Sequence, residues 1–257
     1  MTEKSPQKRP MLLSVVALDT PSLPRHAEML ETLSILSGQC VNPDVVTARE
    51  TTLAFPWGGS MAAVVLVPAP LPWSNLEGPC ETAWWWPEAR ASMRGHNSHL
   101  LVALGNDDGD PIRRSLALTH LTAAAATHVH AAGIFWNGGG LVHDPQVFLA
   151  EARNASPTKL PLHLWIDFRI ENNDDGTLRL FTTGMKALEK LEIEIPRSRH
   201  TAQELLDFAH ATAHYLLARG AEIRDGHTVG CSEDEKVQAA HAPSMWDSTM
   251  TVLRLEY

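Results

Sequence analysis

Cysteine is scarce: Cys40, Cys80 and Cys231 stand alone in 257 residues, odd in number and with no CxxC spacing. That excludes a disulfide framework and a zinc ribbon, and it fits a reducing, cytoplasmic compartment. Basic residues are also in deficit, 21 against 30 acidic, for a net charge of −9. Nucleic acid is therefore not an expected partner, because binding phosphate needs a basic face. An acidic chain is better matched to a basic protein, with which complementary fields speed encounter. Long apolar runs are missing as well. None approaches the ~20 residues of a membrane helix, so no membrane association is expected. The start, MTEKSPQKRP followed by MLLSVVAL, only superficially resembles a signal peptide, since Asp19, Pro21 and Pro24 stand where small cleavage-site residues belong. Residues 1–10 read as a disordered tail.

What is present is ordinary globular composition, with 44% hydrophobic and 20% charged residues. Met11–Leu18 reads as a strand. Ser22 is placed to cap a helix whose stripe runs through Met29, Leu30, Leu33 and Leu36 to a stop at Gly38. Val45–Phe55 and Ser60–Val67 read as a hairpin turning at Gly58 and Gly59, ended by the prolines of PAPLPW. A short helix over Trp84–Met93 and a strand over His99–Leu104 follow. The turn at Asn106–Asp110 caps a helix from Pro111 to about His128. Ala132–Trp136 is a strand, and Asp144-Pro145 opens a helix to about Arg153.

Leu162–Ile170 alternates as a strand and turns back at Asp175-Gly176 into Thr177–Thr182. Met185–Lys190 is a short turn or helix, Leu191–Ile195 a strand, Thr201–Arg219 an amphipathic helix ended by Gly220, and Thr249–Leu255 a last strand. The class is α+β, with mixed, mostly antiparallel sheets and flanking helices. The order βαββαβ of the first half is ferredoxin-like. The second half is open to two readings, a decorated relative of the first or a continuation of one sheet. Residues 11–257 read as a single domain; if it has two subdomains, the seam falls near 105–111.

Motifs of chemistry are missing too. The run Gly138-Gly139-Gly140 after Trp136 suggests a ligand loop, but Leu141-Val142 follow where a phosphate loop needs Lys-Ser/Thr, and no GxGxxG occurs. The glycines more simply turn the chain beneath Trp136. There is no GxSxG elbow. Of the thirteen histidines, His210 with His214 and His128 with His130 are paired at spacings that share a face, and His96 with His99 is a further pair, but no carboxylate or cysteine completes a ligand set. Asn106–Asp110 and Asn172–Asp175 lack the closing glutamate of a calcium loop. No catalytic residue, metal ligand or cofactor is assigned.

The tryptophans carry more. Trp84, Trp85 and Trp86 are consecutive, and on a helix three in a row cannot all face one core. At least one belongs at a surface or seam, where indoles supply large rigid contact area. The loop Asp225–Glu235 ends in the acids Glu233, Asp234 and Glu235, suited to a basic partner.

Seven blocks, VPAPLPW, WWWPEA, HNSHLLV, GIFWNGGGLV, LPLHLWIDFRI, TTGMKALEKLEIEI and DGHTVGCSEDEKV, in that order, resemble the bacterial domain-of-unknown-function 4261 family over roughly residues 11–257. The resemblance implies no established activity. Leu188-Glu189 stands where the family is expected to carry a Phe-Gly pair. Families of this kind often lie beside secretion or toxin genes, an associational hint only.

The expected function is a non-enzymatic protein-binding module, an immunity or accessory protein for a basic toxin or effector, anchored by Trp84, Trp85 and Trp86 and steered by Glu233, Asp234 and Glu235. The alternatives are an enzyme or sensor with a small-ligand or metal pocket built from His96, His99, His128 and the Trp136–Gly140 loop, and an oligomer that buries its tryptophans between copies.

Overall fold

The computed structural model describes residues 11–105, 109–230 and 236–257. The chain divides into two compact units between Leu164 and Trp165. The stretch 105–111, where a seam was expected, instead joins a strand to a helix that packs on the same sheet.

The first unit contains β1 Leu12–Leu18, α1 His26–Ser37, β2 Thr47–Arg49, β3 Thr52–Trp57, β4 Ser60–Val67, α2 Trp73–Thr82, α3 Ala89–Gly95, β5 Ser98–Gly105, α4 Pro111–Thr127, β6 Ala131–Trp136, β7 Leu141–His143 and α5 Pro145–Asn154. Its sheet runs β2-β3-β4-β5-β1-β6-β7, antiparallel throughout. Within it, β1-α1-β4-β5-α4-β6 follow one another in the chain and lie in the order β6-β1-β5-β4. That is the ferredoxin-like arrangement, but its closing elements are α4 and β6, not the Trp84–Met93 and His99–Leu104 segments. The pair α2–α3 is an insertion between β4 and β5.

Alternation in β1 divides the core. Ser14, Val16 and Leu18 face α1 and α4, and Ser14 Oγ meets Thr122 Oγ1 at 2.6 Å. Val15 and Ala17 face the other way, onto a cluster with Leu76, Cys80, Trp86, Met93 and Phe135. Helix α4 is almost wholly buried, as its Ala- and Leu-rich sequence suits. Asp110 caps it by accepting the amides of Ile112 and Arg113.

Local readings fail where proline or uniform burial intervenes. The first helix begins at His26, with Arg25 at its cap and no side-chain cap, so Ser22 plays no such part. Pro24 drives the preceding residue to extended backbone and delays the start. Val45–Phe55 is broken by a turn at Glu50-Thr51 into β2 and β3. Trp84–Trp86 is not helical, because Trp86 precedes Pro87. Helix α2, begun after Pro72, was not expected at all.

The chain passes between units in a helical turn, α6 Leu162–Trp165. This was read as strand, but Leu162, Leu164, Trp165 and Ile166 are all buried, so alternation there carries no facing information. The second unit contains β8 Asp167–Asn172, β9 Leu178–Thr183, a 3₁₀ turn Met185–Leu188, β10 Ile193–Ser198, α7 Ala202–Ala218, β11 Thr228–Val229, β12 Val237–Pro243 and β13 Thr251–Glu256. Its sheet runs β11-β12-β13-β10-β9-β8, with β10 and β13 parallel and the other pairs antiparallel. One long helix, α7, packs on β8, β9 and β10. Thr201 and Glu204 form its capping box. With one crossover helix rather than two, this unit does not repeat the first, and the decorated-relative reading is corrected. The class, α+β with two mostly antiparallel sheets, is as the sequence indicated.

Candidate functional site

The three consecutive tryptophans sit in the turn between α2 and α3, and they go to three different environments. Trp86 is buried in the cluster behind β1, over Gly133. Trp85 is half-buried; its indole N–H donates to the carbonyl of Val142 at 3.3 Å, and its ring stacks at 6.4 Å on His143. Trp84 stands out from the surface, 69% exposed, with its ring edge-to-face against Trp85 at 5.7 Å and 82°. The backbone beneath is fixed by hydrogen bonds from Trp86 N to Ala83 O and from Ala89 N to Trp86 O. The run therefore makes a stiff pedestal carrying one solvent-facing indole. Glu81 and Glu88 flank it as exposed acids, and Glu81 accepts a hydrogen bond from Arg90.

The histidines do not converge. His96 is buried; its Nε2 accepts the amide of Leu71 at 2.7 Å and its Nδ1 donates to the carbonyl of Met93. His99 gives Nδ1–H to Ala69 O at 2.8 Å. Burial, ahead of the opposing carbonyl contact, lowers its pKa. Both rings thus hold down the proline-rich segment that follows β4. His99 pairs in register with Ala17, on the α2–α3 side of the sheet, whereas Trp136 pairs with Ser14, on the α4 side. His128 is on that second side, at the end of α4, where it bonds Thr32 Oγ1 at 2.8 Å. The pocket drawn from His96, His99, His128 and the Trp136 loop is corrected accordingly, because the pleat sends its members to opposite faces. Gly138, Gly139 and Gly140 form the tight β6–β7 connection, with Gly140 at φ +63°. Among the described residues, no group of three His, Cys, Asp or Glu is placed to hold a metal ion. Glu233, Asp234 and Glu235 lie outside the described residues.

His143 is the most perturbed imidazole. It is sealed between Trp85 and Phe148, donates Nε2–H to Leu164 O at 3.2 Å, and is pushed by burial down to about 4.

Of two further features of the second unit, the sequence reading passed over one and named the other only as a departure from the family pattern. Trp246 is 51% exposed and packs on Phe181 at 5.0 Å, with the Arg179 guanidinium 4.6 Å from its ring centre. Arg179 is held by Glu171 through two hydrogen bonds. This cation–aromatic ladder is assembled across strands, so no local spacing announces it. The other is Glu189, at φ +58° after the Met185–Leu188 turn. Its N–H bonds Lys186 O, and Lys190 N–H bonds Met185 O, the pair of contacts that closes a helix with a left-handed residue. Glutamate here takes a left-handed position that glycine would adopt without strain.

Fold and site together define an α+β protein of two units with no helix among the described residues long and apolar enough to cross a membrane. Within it, residues 181–256 match the family model described as a domain of unknown function, DUF4261. The two C-terminal blocks of the resemblance, TTGMKALEKLEIEI and DGHTVGCSEDEKV, fall inside that match; the five earlier blocks lie before it. No curated protein and no solved structure matches the chain.

Proposed function

We propose that this protein is a non-enzymatic binding module that grips another protein through Trp84. The observation that supports this reading is a tryptophan 69% exposed whose ring packs edge-to-face on Trp85, which is itself hydrogen-bonded to the Val142 carbonyl. A preorganised indole loses little conformational freedom on contact, which is the property of an interface anchor. Trp85 and Trp86 belong to its support. Of the imidazoles considered for a ligand pocket, His96 and His99 are bonded to backbone groups on one face of the sheet, and His128 to the Thr32 hydroxyl on the other. The net charge of −9 favours a basic partner, of the toxin or effector kind that an immunity or accessory protein would meet in the cytoplasm.

The test is affinity capture from the native cell by the wild-type chain, by Trp84→Ala, and by Tyr215→Ala, an exposed aromatic control in the second unit. A partner retained by wild type and Tyr215→Ala but lost with Trp84→Ala supports the reading. Identical capture by all three overturns it.

A further inference from the structure

Four tryptophans of the chain are not buried, Trp73, Trp84, Trp85 and Trp246, and they differ in what lies against their rings. Trp73, at the start of α2, has the Arg94 guanidinium 4.4 Å and the Arg90 guanidinium 5.8 Å from its ring centre. Arg90 is held in turn by Glu81 at 2.9 Å and Glu77 at 3.6 Å. Trp246 repeats the arrangement in the second unit, with Arg179 over its ring and Glu171 bonded to the guanidinium. In both places a glutamate orients the guanidinium and an indole takes its flat side. The combination suits arginine, whose planar, weakly hydrated group can stack while its N–H edge stays bonded. Trp85 is turned inward, onto His143 and the Val142 carbonyl.

Trp84 has an indole and a glutamate but no arginine. Its one ring contact among the described residues is the edge-to-face packing with Trp85, so at least one indole face is open to solvent. Arg90 and Arg94, the nearest arginines in the chain, are turned to Trp73. Glu88 is exposed, makes no side-chain cap to α3, and has no partner for its carboxylate among the described residues. The turns Ala83–Trp86 and Trp86–Ala89 follow one another, each closed by a backbone hydrogen bond, and keep Trp84 and Glu88 in one short, twice-folded stretch.

We infer that Trp84 and Glu88 receive one arginine side chain of the partner protein, its guanidinium stacked on the open indole face and its N–H edge bonded to the Glu88 carboxylate. The triad that Trp73 and Trp246 hold within the chain is completed here by a second molecule. This rests on Trp84 as a protein anchor and names the residue that the anchor receives. The net charge of −9 draws such a group in. Lysine would match the charge but not the stacking, because its ammonium is a strongly hydrated point charge.

The experiment uses the full chain labelled with ¹⁵N and three decapeptides in which glycine alternates with arginine, with lysine, or with citrulline, the neutral isostere of arginine. The Trp84 indole signal is assigned by its loss in Trp84→Phe. The expected result is a saturable shift of that signal with the arginine peptide, about threefold tighter than with the lysine peptide at equal ionic strength, and no saturation with the citrulline peptide. Glu88→Gln alters an exposed side chain that caps nothing, so it should fold and weaken the arginine peptide about threefold. Equal affinity for the arginine and lysine peptides overturns the inference. So does unchanged affinity in Glu88→Gln, or a Trp84 signal that does not move. Affinity capture by wild type and Trp84→Ala is run alongside. A partner lost with Trp84→Ala, in a chain that shows no arginine preference, overturns only the choice of residue; capture indifferent to Trp84→Ala overturns the anchor as well.

Discussion

His96 accepts the backbone N–H of Leu71 on Nε2 at 2.7 Å while its Nδ1 faces the carbonyl of Met93. Because an amide can only donate, the ring must carry its proton on Nδ1. One imidazole thereby ties the segment after β4 to the end of α3. His96→Ala leaves the Leu71 amide and the Met93 carbonyl without their partner and should cost about 2 kcal/mol. Urea denaturation gives the loss, and hydrogen exchange should show the Leu71 amide losing protection. An unchanged midpoint would mean that water replaces the ring without penalty.

Acid should weaken the first unit before most carboxylates titrate. Burial holds His143 at about 4, well below the ordinary histidine value of 6.5. The unfolded chain therefore takes up this proton first as pH falls. Stability from the neutral ring is complete above about pH 6.5 and is lost progressively down to about pH 4, by about 3 kcal/mol for the one group. The lowered pKa of His99 acts in the same direction. Urea midpoints at pH 7, 6, 5 and 4 should fall steadily, and His143→Gln should flatten the fall.

Glu189 sits left-handed at φ +58° where glycine would be unstrained. Glu189→Gly should raise stability by up to about 1 kcal/mol, with the greater unfolded-state freedom of glycine offsetting part of the relief. Glu189→Ala keeps the strain and should bring no gain. Thermal melts of the two variants separate relief of backbone strain from loss of the carboxylate.

Gly133 leaves room for the core beneath the exposed indole. A Cβ there would lie 2.3 Å from Met93 Sδ and 2.9 Å from the Trp86 ring. Methionine can bend away but the indole has little freedom, so Gly133→Ala should cost about 1–3 kcal/mol through overpacking. If the Trp84 pedestal depends on Trp86, near-ultraviolet circular dichroism of the tryptophans should change in the same variant.

Much of this fold could be read where local rules act alone. β1, the turn at Gly58-Gly59, the Asp110 cap, the Asp175-Gly176 turn and α7 from Thr201 to Gly220 all carry their own caps, breakers or periodicity. The failures share a cause in tertiary context. In Leu162–Ile166 every residue but His163 is buried, Trp165 included, so its alternation was no guide to a strand face. β12, VQAAHAP, is strand because β13 and β11 pair with it, despite its alanines and proline. The ferredoxin-like order was legible, yet the identity of its closing strand depended on β6, rather than β4, pairing with β1 on the side away from β5. At the site, the tryptophan run announced that an indole must be exposed. Which of the three it is depended on Val142 and Gly133, residues 47 to 58 positions away. His96, His99 and His128 misled because sequence spacing does not show which backbone or side-chain groups approach the rings.

The most direct test of the binding account places a photo-crosslinking amino acid at position 84 and, as a control, at position 215, in the native cell. Trp84 supports no core, so the substitution should leave stability within about 0.5 kcal/mol. The account predicts one dominant adduct with a basic protein from position 84 and none from 215. Irradiation that yields no protein adduct at position 84, in a chain shown to be folded, would contradict it.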